Sequence, residues 1–155
     1  MISDSLLQGV YLFKDMTAEE RARFAKIAET VAVAAGGRIF YAGEASTAMY
    51  LIKDGSVQIT AQSAGGEAVD VATLAAGGHF GEMSLVDDAP RSAAAEAIEA
   101  THLFKFGYDD MRALLAAENG VSDKFYRSLT RFLCKRLRQT TSDLTFAREK
   151  NLRHF

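Results

Sequence analysis

The sequence predicts an α+β fold in which an antiparallel, jelly-roll-like β-roll of about eight strands is preceded by a helix and followed by helices, the last one long. Hydrophobic residues change from helical spacing to alternation near residue 31 and return to helical spacing after Tyr108. Glycine and aspartate turn signals divide the middle of the chain into short strands. The length of 155 residues fits one domain, 1–155.

A helix is predicted at the N-terminus, in the part assigned to residues 1–30. Thr17 and Glu20 have the spacing of a capping box, in which each side chain satisfies a free N–H group of the first helical turn. The apolar residues that follow recur at helical spacing: Phe24, Ile27, Ala28 and Val31.

Residues 31–107 are predicted to form the β-roll. Val57, Ile59 and Ala61 alternate with polar residues, and Val69, Val71 and Thr73 alternate with Asp70, Ala72 and Leu74, which predicts strands with one buried face. Asp54-Gly55 lies between two apolar runs and predicts a two-residue hairpin, because type I′ turns need positive φ at both central residues.

Residues 108–155 are predicted to be helical. A short helix carries Met111, Leu114 and Leu115 and ends at Asn119-Gly120. A long helix begins near Ser122, and one stripe of it carries Phe125, Leu129, Leu133, Leu137, Thr140, Leu144 and Ala147. This stripe either packs on the roll or forms a dimer seam, and one helix can do both with two faces.

Composition excludes several classes of protein. The single cysteine, Cys134, rules out an internal disulfide framework and fits a reducing compartment. The start of the chain, Met-Ile-Ser-Asp, carries an acid at Asp4 where a signal peptide carries basic residues, and no apolar run reaches the ~18 residues of a membrane span. We therefore expect a cytoplasmic protein without a membrane partner.

The net charge of -2 hides an asymmetry between the two parts of the chain. Residues 1–123 contain nine Lys and Arg against eighteen Asp and Glu, whereas residues 124–155 contain nine against two. Such a basic excess is most often a solvated helix face, and a nucleic-acid or partner surface is the alternative.

One segment departs from strand patterning and has the chemistry of an anion site. Gly81 allows close backbone approach, and a helical turn over residues 82–86 would offer free N–H groups. Arg91 follows the only proline, Pro90, and its fork suits a phosphate. Glu82 would repel a phosphate, so its carboxylate suits a sugar hydroxyl. The predicted ligand has one phosphate and a free ribose hydroxyl.

Two motifs of this segment resemble the phosphate-binding cassette, here residues 80–93, of cyclic nucleotide-binding domains. They are Phe80-Gly81-Glu82-Met83-Ser84-Leu85 and Pro90-Arg91-Ser92-Ala93. The family includes catabolite activator proteins, protein kinase A regulatory subunits and cyclic nucleotide-gated channels. The resemblance implies that Arg91 pairs with the cyclic phosphate and Glu82 with the ribose 2′-hydroxyl. Ser92 and the N–H groups of Met83, Ser84 and Ala93 would complete the cradle.

The resemblance also implies where the base is bound. Ile59, Val71 and Ala72 occupy positions that pack the base, while Thr140 and Thr141 match paired hydroxyls that recognise adenine from the terminal helix of catabolite activators. A hydroxyl after the cassette arginine favours cAMP over cGMP, although it can also face a guanine amino group. Each set has a simpler interpretation: Ile59 and Val71 as plain core, and the two threonines as exposed helix positions.

Three functions follow from these observations. The first is a cyclic nucleotide sensor without catalysis, cofactor or metal, acting as a homodimer through the terminal helix on a downstream effector. The second is a cupin-like metal enzyme, which His79, His102 and His154 do not support by spacing, His79 being expected in a turn. The third is a DNA-associated transcription regulator truncated before its effector domain. Direct nucleic-acid binding is not expected, because the chain stops at Phe155, about where a helix-turn-helix would begin.

Overall fold

Two four-stranded antiparallel sheets form the centre of the molecule in the computed structural model, which describes residues 1–117 and 120–153. The helices are α1 Asp4–Gln8, α2 Ala18–Ile27, α3 Met83–Asp87, α4 Tyr108–Ala117 and α5 Val121–Leu152, with a 3₁₀ helix at Tyr11–Phe13. The strands are β1 Ala28–Val33, β2 Arg38–Phe40, β3 Ala48–Asp54, β4 Ser56–Gln62, β5 Ala68–Ala75, β6 His79–Phe80, β7 Ala94–Ala97 and β8 Thr101–Gly107. The predicted α+β β-roll of about eight strands with a long last helix is confirmed.

The connection at Asp54-Gly55 joins the two sheets. The strand orders are β1-β8-β3-β6 and β2-β7-β4-β5, so β3 and β4 do not pair and the predicted hairpin is wrong. Gly55 has φ of 93°, and a Cβ atom there would lie 2.7 Å from the Cα atom of Thr101. A local dipeptide indicates a turn but not which strands pair across it. The hairpin lies between β4 and β5, where the N–H of Gly66 donates to the carbonyl of Ser63 at 2.9 Å.

A register shift in the β4–β5 pair changes which side of β5 faces the roll. Ile59 pairs with Ala72 and Thr60 with Asp70, so Val71 is an extra residue in β5. Val69 and Val71 are about half exposed, at 49% and 53%. The sequence-based prediction that they lie on a buried face is therefore wrong, and alternation also did not reveal the bulge at Val71.

Polar contacts cap the second N-terminal helix and join it to α5. Thr17 Oγ1 accepts a hydrogen bond from the N–H of Glu20, as the capping box predicts. The Glu20 carboxylate instead accepts from Lys124 Nζ in α5 at 2.8 Å. The α2 helix ends at Ile27 and β1 begins at Ala28, earlier than the predicted boundary at residue 31. The α1 helix was not predicted from the sequence.

Two hydrophobic clusters hold the elements together. The smaller one lies between the sheets and includes Phe40, Ile52 and Leu103. The larger one joins the helices to the first sheet, and its buried rings are those of Phe13, Phe24, Phe104, Phe106, Tyr108 and Phe125. The cluster fixes the beginning of α5 against the roll, because Phe125 is stacked on Phe24 with ring centroids 6.1 Å apart.

The long helix leaves the roll after its first third. Gly120, with φ of 87°, precedes it, while Asn119 of the predicted stop signal lies outside the described residues. Phe125 and Leu129 are buried, but Leu137 and Leu144 are 67% and 52% exposed. The predicted apolar stripe is thus used for packing only in its first part.

Across the described chain, α5 included, no helix is long and apolar enough to cross a membrane.

Candidate functional site

A cavity of about 250 Å³ lies beside the α3 turn and the segment before β7. Ten of the residues singled out from the sequence line it: Ile59, Val71, Phe80, Gly81, Glu82, Met83, Ser84, Arg91, Ser92 and Ala93. It is also lined by three further residues, Phe40, Leu74 and Arg136. The cavity therefore brings together residues from both sheets, the α3 turn and α5.

Arg91 is buried in the wall of this cavity, with 7% of its surface exposed. Its Nη2 donates to the carbonyl of Ala48 at 2.6 Å and its Nη1 to the carbonyl of Gly81 at 3.2 Å. The guanidinium also lies 4.0 Å from the ring centroid of Phe40. Because a guanidinium has five N–H donors, these contacts orient it and still leave donors for an anion.

The backbone around Arg91 is held by the loop that follows β2. The N–H of Arg91 donates to the carbonyl of Glu44, and the N–H of Gly43 donates to the carbonyl of Arg91, both at 2.8 Å. Arg91 is therefore fixed at both ends. Its backbone is hydrogen-bonded to the loop after β2, and its guanidinium is hydrogen-bonded to two carbonyl groups.

Gly81 is required by both conformation and space. Its φ is 80°, a region that glycine adopts without steric cost. Its carbonyl accepts hydrogen bonds from Arg91 and from the Tyr108 hydroxyl. The same Tyr108 hydroxyl lies 2.7 Å from Ser46 Oγ. Gly81 thus connects the cassette to the first residue of α4.

Glu82 is almost fully buried, with 1% of its surface exposed. Its Oε2 lies 3.3 Å from His79 Nδ1, and its Oε1 lies 4.0 Å from Arg136 Nη1 in α5. Both neighbours reduce the cost of burying a carboxylate by supplying hydrogen-bond donors or positive charge. His79 was expected in a turn, and this expectation is wrong: it is a buried residue of β6 whose ring contacts Phe132 of α5.

Apolar residues form the rest of the cavity wall. Ile59, Val71 and Leu74 come from β4 and β5. Behind the Arg91 guanidinium, the rings of Tyr50 and Phe80 are stacked with centroids 5.3 Å apart. Burial raises the pKa of the Tyr50 hydroxyl. The nearby positive charge of Arg91 lowers it in part. The wall therefore offers a dry surface next to the charged groups.

Three of the residues singled out from the sequence are not at this cavity. Ala72 is half-buried on β5 but does not line it, and Thr140 and Thr141 are exposed on α5. Thr141 Oγ1 donates to the carbonyl of Leu137 within the helix. Thr141 also lines a separate surface depression with Cys134, Leu137 and Arg138.

Arg136 lines the cavity next to Glu82, and the sequence did not predict it as a site residue. It belongs to a run of basic residues on α5, so nothing in its local pattern separates it from a solvated lysine or arginine. Its position depends on how α5 docks, through contacts such as that of Phe132 on His79, with ring centroids 4.4 Å apart. Only the tertiary structure shows that this arginine lies over Glu82.

Across residues 1–117 and 120–153, no three His, Cys, Asp or Glu side chains are grouped so that they could hold a metal ion. His154, one of the three histidines considered for a metal site, lies outside the described residues. The polar groups that do converge are a guanidinium, hydroxyls and a carboxylate, on one side of an apolar wall. This set suits a ligand with a phosphate, a hydroxyl and a flat apolar part.

The sequence matches the model of a protein family described as the cyclic nucleotide-binding domain over residues 30–118. The chain belongs to this family. The match spans the roll except for the first two residues of β1, and it includes the cassette that holds Arg91 and Glu82. The family is one of ligand-binding regulatory domains rather than an enzyme class.

Curated relatives of this cyclic nucleotide-binding domain include bacterial and fungal proteins. It is 37% identical over 109 residues to the cyclic AMP receptor protein of Thermus thermophilus, covering 70% of this chain and 49% of that protein. It is 33% identical over 112 residues to the cAMP-dependent protein kinase regulatory subunit of Yarrowia lipolytica, covering 72% and 29%. The chain thus spans about half or less of these relatives.

Solved structures share the architecture of this cyclic nucleotide-binding domain. The Thermus thermophilus catabolite activator protein aligns with a TM-score of 0.78 at 32% identity, covering 88% of this chain and 62% of that one. The regulatory domain of Toxoplasma gondii PKA with cAMP aligns with a TM-score of 0.72 at 26% identity, covering 83% and 48%. The fold and the order of its elements are therefore those of both bacterial and eukaryotic members.

Proposed function

We propose that this domain is a cAMP sensor that prefers cAMP to cGMP and has no catalytic activity of its own. The observation that carries the proposal is the pair Arg91 and Glu82, two buried groups of opposite charge that line one cavity. A cyclic nucleotide has an anionic phosphate fused to a ribose with a free 2′-hydroxyl, which matches this pair. The names of the cyclic AMP receptor protein and the cAMP-dependent kinase subunit support cAMP as the ligand.

Each group of the ligand has a proposed partner in the cavity. Arg91 binds the cyclic phosphate, with Ser92 and the backbone N–H groups of Met83, Ser84 and Ala93 as further donors. Glu82 accepts a hydrogen bond from the ribose 2′-hydroxyl. The base packs on Ile59 and Val71, with Ala72 behind them. The exposed side of Val71 supports this role, because an apolar ligand surface would cover it.

The signal is proposed to pass through α5. Arg136 Nη1 lies 4.0 Å from the Glu82 carboxylate. A ribose hydroxyl on Glu82 competes with Arg136 for the same carboxylate. The ligand then has a different affinity for the two positions of α5, which is the condition for shifting between them.

The exposed part of α5 is proposed to form a homodimer and to reach an effector protein in the cytoplasm. Leu137 and Leu144 are exposed on one face of α5. Thr140 and Thr141 lie between them and would reach the base from the closed helix or from the second copy. The heptad-like spacing of the apolar residues supports pairing of two helices.

The proposal is tested by calorimetry of the purified protein with cAMP, cGMP and 5′-AMP. We expect cAMP to bind more tightly than cGMP, and 5′-AMP to bind much more weakly than either because it has an open, doubly charged phosphate. Absence of heat with both cyclic nucleotides at high micromolar protein would refute the sensor function. Equal affinity for cAMP and cGMP would refute only the preference.

A second candidate function is that of a DNA-associated transcription regulator. The basic excess in residues 124–155 favours it, as does the relative named a CRP-like cAMP-activated global transcriptional regulator in Mycobacterium tuberculosis. An electrophoretic shift of random duplex DNA by the cAMP-loaded protein would support this candidate. No shift at low salt, where phosphate contacts are strongest, would refute direct binding by this chain.

A further inference from the structure

His79 is a buried polar residue that the cassette motifs do not include. It lies in β6 with 5% of its surface exposed, and its Nδ1 is 3.3 Å from Glu82 Oε2. Its ring centroid is 4.4 Å from that of Phe132 in α5. Its Nε2 is buried and has no hydrogen-bond partner within the described parts of the chain. Burying such a ring has a free-energy cost, which its contact with Glu82 offsets only in part.

The hydrogen on the His79 ring can be assigned from its neighbour. An ionised carboxylate only accepts hydrogen bonds, so the ring nitrogen that faces Glu82 carries the hydrogen. Nε2 has no hydrogen-bond partner within the described residues, so the polar contact of the ring is the one that Nδ1 makes with Glu82. The contact with Phe132 restricts the ring, so the direction of the Nδ1–H group is fixed by packing.

A glutamate carboxylate has no strong torsional preference of its own. Its last torsion joins sp³ and sp² carbons and is broad, so the orientation of the two oxygens is set by hydrogen bonds from outside. In Glu82, Oε2 is held by His79, and Oε1 is the oxygen nearest Arg136, a residue that lines the cavity. The histidine therefore directs one oxygen of Glu82 towards the cavity and occupies the other.

We propose that His79 is a positioning residue for ribose recognition, which keeps Glu82 Oε1 available for the 2′-hydroxyl of the ligand. The inference rests on the proposed cyclic nucleotide function and adds a specificity-determining residue to it. His79 does not touch the ligand and acts only through Glu82. Its effect must then depend on the 2′-hydroxyl, unlike that of a residue that only supports the fold.

The test compares the affinities of cAMP and 2′-deoxy-cAMP by calorimetry in the wild type and in variants. His79→Phe keeps a ring against Phe132 but lacks the donor, whereas His79→Gln keeps an N–H donor without the ring. We expect His79→Phe to lower the ratio of cAMP to 2′-deoxy-cAMP affinity by about tenfold, as for the loss of one hydrogen bond to a charged group. The affinity of His79→Phe for 2′-deoxy-cAMP should stay within about twofold of the wild-type affinity. His79→Gln should retain most of the wild-type ratio of cAMP to 2′-deoxy-cAMP affinity.

Two controls separate this role from stability and from general histidine loss. His102→Phe changes the exposed histidine that pairs with Asp54 at 2.7 Å, away from the cavity, and should leave the ratio unchanged. If His79→Phe does not fold, His79→Leu replaces it with a smaller side chain that also lacks a donor. Thermal unfolding of each variant without ligand verifies that the folded protein is being titrated.

The outcomes distinguish this inference from the function on which it rests. If the wild type binds neither nucleotide, the sensor function fails and this inference fails with it. If the wild type binds cAMP but His79→Phe leaves the ratio unchanged, or weakens both nucleotides equally, only the positioning role is overturned. An equal loss of the ratio in His79→Gln and His79→Phe would also overturn it, because the donor would then be irrelevant.

Discussion

Arg91 and Gly81 are matched to each other in hydrogen bonding and in space. Arg91 Nη1 donates to the Gly81 carbonyl at 3.2 Å, and a Cβ atom on residue 81 would lie 2.5 Å from that same nitrogen. The glycine therefore provides both the acceptor that orients the guanidinium and the space that the guanidinium fills. A side chain at residue 81 would act first on the group that we propose to bind phosphate.

Gly81→Ala is expected to weaken cAMP binding as well as stability. The positive φ costs an alanine roughly 1–2 kcal/mol, and the Cβ atom must also displace Arg91. Gly66→Ala is the matched control, since its φ of 83° brings the same strain but nothing lies within 4 Å of its Cβ position. Thermal unfolding should show a lower melting temperature in both variants. Calorimetry should show a loss of cAMP affinity only in Gly81→Ala. Equal affinities in the two variants would contradict the steric argument.

Arg91→Ala is expected to weaken cAMP binding by roughly 2–5 kcal/mol, or about 30-fold to several thousand-fold, because a buried phosphate loses its charged partner. Calorimetry measures the change directly. Arg127→Ala removes an arginine of α5 that pairs with Asp123 at the surface, away from the cavity, and it should leave the affinity unchanged. An unaltered affinity in Arg91→Ala would show that the phosphate is bound elsewhere.

The double substitution Thr140→Ala and Thr141→Ala is expected to narrow the difference between cAMP and cGMP affinity. These hydroxyls are proposed to recognise the base, so phosphate binding should be preserved and both ligands should still bind. Thr145→Ala, an exposed threonine one turn further along α5, serves as the control. A constant ratio of the two affinities would mean that another group recognises the base.

The substitutions Leu137→Glu and Leu144→Glu are expected to dissociate the proposed homodimer. Burying each leucine stabilises an interface by about 1.5–3 kcal/mol, so losing both should raise the dissociation constant by roughly a hundredfold or more. Sedimentation velocity over a range of concentrations measures it. Ser142→Glu places the same charge on another face of α5 and should have little effect. A wild type that stays monomeric at all concentrations would exclude this interface.

Asp4 is expected to make stability sensitive to acid. Its carboxylate accepts hydrogen bonds from Arg21 at 2.6 and 3.1 Å, and this contact lowers the pKa of Asp4 below its ordinary value. A carboxyl whose pKa is lowered by folding stabilises the protein at pH values above the ordinary aspartate pKa. This stabilisation is lost as the pH falls through the pKa of the folded state. Asp4→Asn should therefore lower the melting temperature at neutral pH.

The difference between wild type and Asp4→Asn should shrink as the pH is lowered below about 4, because the carboxyl of the unfolded chain then takes up a proton. It should vanish below the lowered folded-state pKa of Asp4, where the folded carboxyl is neutral as well. It should also shrink at high salt, since the Asp4 side chain is half exposed. Asp70→Asn, on the exposed side of β5, controls for the general effect of removing a carboxylate. A difference that stays constant from pH 7 to pH 3 would contradict the ion-pair explanation.

Local patterns in the sequence predicted the elements but not how the strands pair. Alternation and turn signals identified most of the strands, and the run after residue 120 without Gly or Pro identified α5. The Asp54-Gly55 connection and the bulge at Val71 were misjudged because both depend on which strand lies alongside. Pairing between distant strands is decided by the burial of whole faces, which a local dipeptide does not contain.

Sequence motifs predicted most of the cavity for a similar reason. The cassette residues are adjacent in the chain, so one segment brings Gly81, Glu82 and Arg91 into reach of each other. His79 and Arg136 acquire their roles from the docking of α5 and have no local signature. The residues that link the cavity to the rest of the molecule were therefore the ones that the sequence did not reveal.

The way in which α5 leaves the roll means that a small rotation at its packed end would move its exposed end much further. The helix is held near Leu129 and Leu133, and every residue from Cys134 to Arg153 is exposed. About 20 residues beyond the last packed turn span roughly 30 Å at 1.5 Å per residue. A rotation of about 10° at the held end would move the far end by about 5 Å. If α5 moves on ligand binding as we propose, a displacement shorter than one side chain at Arg136 becomes one about as long as a helical turn at the far end.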